Sequence, residues 1–384
     1  MKNILFRVDS SQILGGGNLF RCLNIANELN EKGFNCYFIS KELENNLNYL
    51  ISKSGHKLIR LNKNYENLDI EIKHIYELLV DFGKFQWLII DNYSIDIKWE
   101  KKMECIAKKI LVIDDLANRE HSCDILLDQN YVSQSANRYD NLVPKKCKKL
   151  LGTKYAILDK KIRSIGKSQE KNFAKIRRIF ICFGATDPQG HSIAIIRSLK
   201  LLDIKSEVNI FTTNKNSRID LLKKESKELK NCNLYVESDS IYEILSNSDL
   251  AIGAGGIMNY ERAYFGVPAL VFGIAENQIL FLNELVRDGF LIGDPLHKDP
   301  DISRMRSWLQ VIINNEELLT GISIRTNKLV DGFGIERLME EMFPLQLTFR
   351  QVSVKDSQNL FIWRNSDEIR NVSINKKNLI KENH

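Results

Sequence analysis

Hydrophobic and polar positions along this chain fall into two alternating kinds of stretch. Short unbroken apolar runs are separated by longer stretches whose apolar residues recur at helical spacing. Ile4 to Val8 is the first such run, and the glycines Gly15, Gly16 and Gly17 follow it. The next stretch, LFRCLNIANELNEKG, repeats apolar residues every three or four positions (Leu19, Cys22, Leu23, Ile25, Ala26, Leu29), which predicts a helix that Gly33 stops. NCYFIS reads as a strand, Trp87 to Asp91 as a buried strand, IKWEKKMECIAKK as a helix and Ile110 to Asp115 as another strand. Unbroken apolar runs alternating with amphipathic helices indicate βαβ units around a parallel sheet.

A second series of the same kind starts after a polar, lysine-rich stretch from Lys160 to Lys175. RRIFICFGATD is a strand ending in a loop, HSIAIIRSLKLL a helix and SEVNIFTTN a strand. Asp239 to Ser246 is a short helix, DLAIGAGG a strand running into glycines, and GVPALVFG a further strand. The expected class is therefore α/β, with two Rossmann-like domains facing a cleft, residues 1–165 and 166–342. Residues 343–384 differ: a strand, a helix opening near Val354-Lys355-Asp356 and an amphipathic run look like the start of a third, α+β unit that breaks off.

Composition narrows the class. With 43% hydrophobic and 27% charged residues, the chain has the material for proper cores and is not a disordered polymer. The net charge of +6 is small and scattered, which reads as solvated lysines and not as a nucleic-acid surface. The seven cysteines are odd in number and form no C-x-x-C pair, so they read as buried thiols of a reducing cytoplasm, not as a disulfide frame or metal site. The N-terminal apolar run is too short for a signal peptide. The longest apolar stretch, ALVFGIAENQILFL, carries Glu276 in its middle, so no membrane span is expected.

Two stretches carry most of the candidate chemistry. In the first, Phe6 to Cys22, glycines between a strand and a helix let backbone approach a ligand, and the helix start favours an anion. Its spacing is not that of a G-x-G-x-x-G dinucleotide loop. Arg21, one turn into the helix, either reaches a phosphate or sits on the surface. In the second stretch, Asp249 to Gln278, a strand ends in Gly253, Gly255 and Gly256, and Glu261 lies in the first turns of the next helix. A carboxylate there accepts hydrogen bonds from ribose hydroxyls or merely compensates the helix dipole. Asp114 and Asp115 end a strand, as an acid–base pair or as loop caps, and Asp187 caps the helix after the Gly184 loop or touches ligand.

Taken together, FRVD with its glycines, IDDLANREHSCDILLDQN, LGTKYAIL, FGATDP and AIGAGG…YERAYFGVPAL…ENQ resemble the pseudaminic acid pathway UDP-sugar hydrolase family, over roughly residues 1–340. That family is similar to GT-B glycosyltransferases. The resemblance implies hydrolysis of UDP-2,4-diacetamido-2,4,6-trideoxy-β-L-altropyranose to free sugar and UDP, with no cofactor and no metal. It implies UDP-sugar contacts from Gly15, Gly16, Gly17, Arg21, Gly184, Gly255, Gly256, Ile257, Met258, Asn259, Glu261, Asn277 and Gln278. The family motif carries a histidine, the expected general base, where this chain has Asn18. Asparagine takes no proton at neutral pH, so turnover is expected to be impaired, with Asp9 or Asp115 as substitute bases. None of His56, His74, His121, His191, His297 and His384 falls at a family site. TFRQVSVKDSQNLFIWRN resembles the opening of GNAT-type N-acetyltransferases, Trp363-Arg364-Asn365 above all, without their acetyl-CoA pyrophosphate loop. A fused or neighbouring acetyltransferase is thus an expected partner, and the chain is expected to be a cytoplasmic monomer. The alternatives are a GT-B-type glycosyltransferase using a UDP-sugar and a non-catalytic nucleotide-sugar binder.

Overall fold

Successive strands separated by a crossover that returns to the same edge can only pair in parallel. The computed structural model, which describes residues 2–133, 137–167, 171, 173–294, 299–344 and 350–372, follows this rule throughout. Strands β1 (Asn3–Val8), β2 (Asn35–Lys41), β3 (Lys57–Leu61), β4 (Phe85–Asp91), β5 (Ala107–Ile113), β6 (Ile125–Asp128) and β7 (Lys148–Leu151) form one sheet in the order β3-β2-β1-β4-β5-β6-β7. Strands β8 (Arg178–Cys182), β9 (Glu207–Thr212), β10 (Cys232–Val236), β11 (Leu250–Ala254), β12 (Ala269–Phe272) and β13 (Ile292–Asp294) form a second, in the order β10-β9-β8-β11-β12-β13. Every pairing between these strands is parallel. Both sheets wind outward from a central first strand, return, and wind the other way. The switch point lies between β1 and β4 in one sheet and between β8 and β11 in the other, and open α/β sheets bind ligands beyond the carboxyl ends of the strands there.

Helices α1 (Gly17–Glu31), α2 (Tyr49–Lys53), α3 (Leu68–Leu79), α4 (Ile97–Met103) and α5 (Lys160–Ile165) accompany the first half. The second carries α6 (His191–Leu201), α7 (Ile219–Glu228), α8 (Ile241–Ser246), α9 (Met258–Tyr264), α10 (Ile279–Arg287), α11 (Ile302–Ile313), α12 (Glu316–Asn327) and α13 (Gly334–Met342). Helix α1 ends as its sequence predicts, with Gly33 in the left-handed region at φ 81°. The helix expected through Lys109 is a correction: α4 stops at Met103, and Ala107 to Lys109 already pair with Phe85 and Trp87 in the sheet. Cys105 is another, since it is exposed where a buried thiol was expected.

Leu5, Ile39, Leu88, Ile90 and Val112 pack with Trp99 and Met103 against one face of the first sheet. The second sheet is covered on both faces, one by Ile193, Ile196, Leu309 and their neighbours, the other by Phe180, Phe211, Tyr264 and Leu282. Ala156, Leu158 and Ile162, from the segment joining the halves, belong to that latter cluster. Helix α13 returns to the same segment, where Arg337 Nη1 donates to the Lys154 carbonyl at 2.6 Å. Residues 2–342 thus form one unit with two sheets.

Residues 343–384 form a separate unit. Ser353 and Asp356 close a reciprocal capping box over a short 3₁₀ turn, and α14 (Ser357–Asn365) and α15 (Asp367–Val372) follow. The strand expected just before, at 345–349, lies outside the described residues.

Candidate active site

The carboxyl ends of four neighbouring strands in the first sheet carry acidic residues: Asp9 after β1, Asp91 in β4, Asp114 and Asp115 after β5, and Asp128 in β6. Carboxylates packed this closely and away from water need partners. Arg21 reaches from α1 to grip Asp91 bidentately, Nε to Oδ2 and Nη2 to Oδ1, both at 2.8 Å. Arg7 donates to Asp9 at 2.6 Å, Arg119 to Asp114 at 2.7 Å and Arg138 to Asp128 at 2.7 Å. His121 donates to Glu100 at 2.7 Å and faces Asp114. Burial works against its charge, but the neighbouring carboxylates of Asp114 and Glu100 outweigh this and push its pKa up to about 9.

Asp115 is the exception. Among the described residues it is the one member of this group with no cation in ion-pair contact. Its Oδ2 accepts from the Tyr93 hydroxyl at 3.0 Å, and its Oδ1 is sealed from solvent with no partner. Burial, opposed by Arg21 and reinforced by Asp114, Asp128 and Asp91, pushes its pKa up to about 7. Asp9 is the opposite case. Burial raises its pKa, but the Arg7 charge and bonds from Arg7, the Lys41 N–H and Asn92 Nδ2 hold it below the usual carboxylate range. A carboxylate held in this way is a poor proton acceptor.

The glycine loop after β1 turns on itself: the Gly15 N–H donates to the Ser11 carbonyl at 2.9 Å, with Gly15 at φ 72°. Gly16 caps α1, and a Cβ there would stand 2.6 Å from Leu47 Cδ1. Asn18, in the first turn of α1, points its amide at the Asp91 carbonyl, 3.5 Å away. Arg21 is not the surface residue that one reading allowed; its guanidinium is buried against Asp91.

In the second half the loop after β11 stands opposite. A Cβ on Gly17 would lie 3.9 Å from Ile257 Cγ2, so the two glycine loops approach across the crevice. No described group accepts from the N–H of Gly256, Ile257 or Met258. Glu261 is buried on α9, where Oε1 accepts from the Tyr242 hydroxyl at 3.2 Å and Oε2 has no partner. Burial pushes its pKa up to about 7. Gln278 lies over Gly255 and Gly256 and accepts from the Ile274 N–H at 3.1 Å. Asn277 Nδ2 donates across the crevice to the Tyr93 hydroxyl at 2.8 Å. Deeper down, the Tyr260 hydroxyl donates to Asn130 Oδ1 at 2.6 Å.

The remaining candidates have structural roles in the second half. Gly184 turns the chain after β8 at φ 86°. Asp187 caps α6, accepting from the N–H groups of His191 and Ser192 at 2.9 and 3.0 Å. Asn259 turns inward to Arg262, and Met258 packs beside the second core. His56 meets Asn27, His74 meets Tyr65, and His191 stacks on Phe183; His297 and His384 lie outside the described residues. Tyr93, Asp91, Asn130, Tyr242 and Tyr260 escaped the sequence analysis. The polar residues directly after the WLIID run, Asn92 and Tyr93, were the available signal. A hollow of about 630 Å³ lined by Lys167, Lys175, Arg177 and Asn247 lies at the amino ends of β8 and β11, the edge away from this chemistry.

No protein-family model matches the chain. The UDP-2,4-diacetamido-2,4,6-trideoxy-β-L-altropyranose hydrolase of Campylobacter jejuni is 31% identical over 261 residues, covering 67% of this chain and 86% of that enzyme. Among solved structures, Acinetobacter baumannii MurG superposes with a TM-score of 0.60 at 12% identity, covering 90% of this chain and all of the other. The UDP-GlcNAc 2-epimerase of Neisseria meningitidis, bound to UDP-GlcNAc, gives 0.57 at 15% identity, over 89% of this chain and all of the other. The two-sheet architecture is therefore that of GT-B glycosyltransferases and epimerases. No helix among the described residues is long and apolar enough to cross a membrane.

Proposed function

The chain belongs to the UDP-2,4-diacetamido-2,4,6-trideoxy-β-L-altropyranose hydrolase family, and from that premise we propose that it hydrolyses a UDP-linked 2,4-diacetamido-2,4,6-trideoxy sugar to the free sugar and UDP, in pseudaminic acid biosynthesis. The observation that carries the proposal is Asp115: a sealed, unpartnered carboxylate oxygen with a pKa pushed up to about 7, tied through Tyr93 to Asn277 on the opposite wall.

In this reading the second half holds UDP. The free Glu261 Oε2 accepts from ribose hydroxyls, and the unclaimed N–H groups of Gly256, Ile257 and Met258 take the diphosphate. The first half holds the sugar and the water. The water oxygen attacks the anomeric carbon, its proton passes to the Asp115 carboxylate, and the bond from that carbon to the diphosphate oxygen breaks with its electron pair leaving on UDP. A base whose pKa sits near neutrality suits this step. Asn18 orients the water through its amide but takes no proton, so this chain turns over more slowly than a relative with histidine there. Neither oxidation nor an acceptor other than water is required. We also read residues 343–384 as the opening of a GNAT-type acetyltransferase unit, on the strength of the capped 3₁₀ turn that leads into the helix bearing Trp363.

The test is UDP release from the altropyranose nucleotide without any acceptor, by this chain and by Asn18→His. Release by either supports hydrolysis. Release by neither, with UDP still bound, turns the reading toward a transferase or a binder.

A further inference from the structure

Among the buried and half-buried arginines of the two crevice walls, Arg7, Arg21, Arg119 and Arg138 each touch a carboxylate. Arg262 touches none of the described ones, although it is only 1% exposed. It projects from α9 beneath the glycine loop. Nη1 donates to Asn259 Oδ1 at 3.0 Å and, weakly, to the Ala254 carbonyl at 3.4 Å; Nη2 lies 3.5 Å from the Cys182 carbonyl. Its Nε has no acceptor. Cys182 and Ala254 end β8 and β11, so the guanidinium occupies the switch point of the second sheet. Gly253 makes the room: a Cβ there would stand 2.4 Å from Nη2 and 2.0 Å from the Cys182 carbonyl oxygen.

An arginine serving only to tie strand ends together would be expected to make short bonds, and one kept only for packing would be replaced by an apolar chain at less cost. Burial pushes the pKa down to about 10, which leaves the group cationic at neutral pH. The Glu261 carboxyl next to it in sequence has its own pKa pushed up to about 7 and so supplies only part of a counter-charge. The charge is therefore fixed, dry and short of an anion.

We propose that Arg262 is an electrostatic positioning residue for the leaving group: its counter-charge arrives with the diphosphate of UDP, which the loop at Gly255 and Gly256 holds above it. The inference rests on the diphosphate reading of that loop. Because UDP carries more negative charge than the UDP-sugar, the field of Arg262 favours the departing group over the ground state, and its loss lowers kcat more than it raises KM.

The experiment is calorimetric titration of the full chain, Arg262→Gln and Arg262→Lys with UDP, UMP and uridine, alongside melting of each ligand-free protein. The expected result is graded: Arg262→Gln binds UDP at least about tenfold more weakly, UMP less so, and uridine within about twofold, with melting unchanged or raised. Arg262→Lys keeps the preference for UDP over uridine. Equal losses for UDP and uridine with lowered melting overturn the proposal and make Arg262 a structural bracket. If Arg262→Gln does not fold, Arg262→Lys decides: it keeps the charge and loses the bracket, so a lost UDP preference overturns the proposal and a kept one supports it. A wild-type chain that binds uridine as well as UDP overturns the diphosphate reading itself, and Arg262 with it.

Discussion

The hydroxyl of Tyr93 donates to Oδ2 of Asp115 across 3.0 Å. That bond uses one carboxylate oxygen and leaves the other, Oδ1, buried without a partner. On the proposed mechanism Asp115→Asn lowers UDP release by about 10²–10⁴ while UDP affinity changes little, the loss expected for a general base. Tyr93→Phe, which only misorients the carboxylate, costs roughly tenfold on the same scale. Steady-state rates beside UDP titration separate the two quantities.

The same pair sets a pH profile. Asp115 accepts a proton only when ionised, and its pKa is pushed up to about 7. Activity therefore falls as pH drops below about 7, by roughly tenfold for each further pH unit. The falling limb is absent from the residual activity of Asp115→Asn. In Asn18→His, a second acceptor of ordinary pKa near 6.5 raises the rate by about a hundredfold and moves the limb downward. A profile that is flat from pH 5 to 8 in the unaltered chain contradicts the role of Asp115.

Glu261 makes a prediction about stability. Its pKa is raised in the folded protein, from 4.5 to about 7, because burial disfavours the charge. A raised acid binds its proton more tightly folded than unfolded, so the ligand-free protein loses stability as pH rises from about 4.5 through 7. The span corresponds to roughly 3 kcal/mol. Glu261→Gln removes that slope and melts higher than the unaltered chain at pH 8, yet binds uridine more weakly. Thermal melting across pH and uridine titration check the two halves of this expectation.

The apolar runs that became β1, β4, β5, β8 and β11 were legible because central parallel strands are buried on both faces and so read as unbroken hydrophobic stretches. Edge strands carry no such mark. β3 is KLIRL, β7 is KKLL and β10 is CNLYV, and charged or polar residues disguise them while also guarding an open edge. Lys108 and Lys109 favour a helix by composition, yet the segment alternates from buried Ala107 to exposed lysines and buried Ile110, and pairing with β4 decides. At the site, Asp115 and Glu261 could be singled out because strand ends and glycine turns locate them. Tyr93 is a loop tyrosine until Asn277 arrives from 184 positions away. Arg262 looks like any helix-surface cation until Gly253 is seen to admit it to the interior.

Arg21 and Asp91 test how the acidic wall is held. Both are almost wholly buried and bonded bidentately at 2.8 Å. Removing one partner strands the other charge, so Arg21→Met or Asp91→Leu alone destabilises by about 3–5 kcal/mol. The double variant recovers much of that loss, because no lone charge remains. Denaturant unfolding of the three variants measures it, and additive losses would contradict the pairing.

The proposed reaction is tested most directly in ¹⁸O-water, with the altropyranose nucleotide as sole substrate and no acceptor present. Free sugar and UDP are quantified together and their masses read early in the reaction. The account predicts one UDP for each free sugar, with the label at the anomeric oxygen of the sugar and none in UDP. UDP that appears only when an acceptor is added, or label in the diphosphate, would contradict hydrolysis at the anomeric carbon.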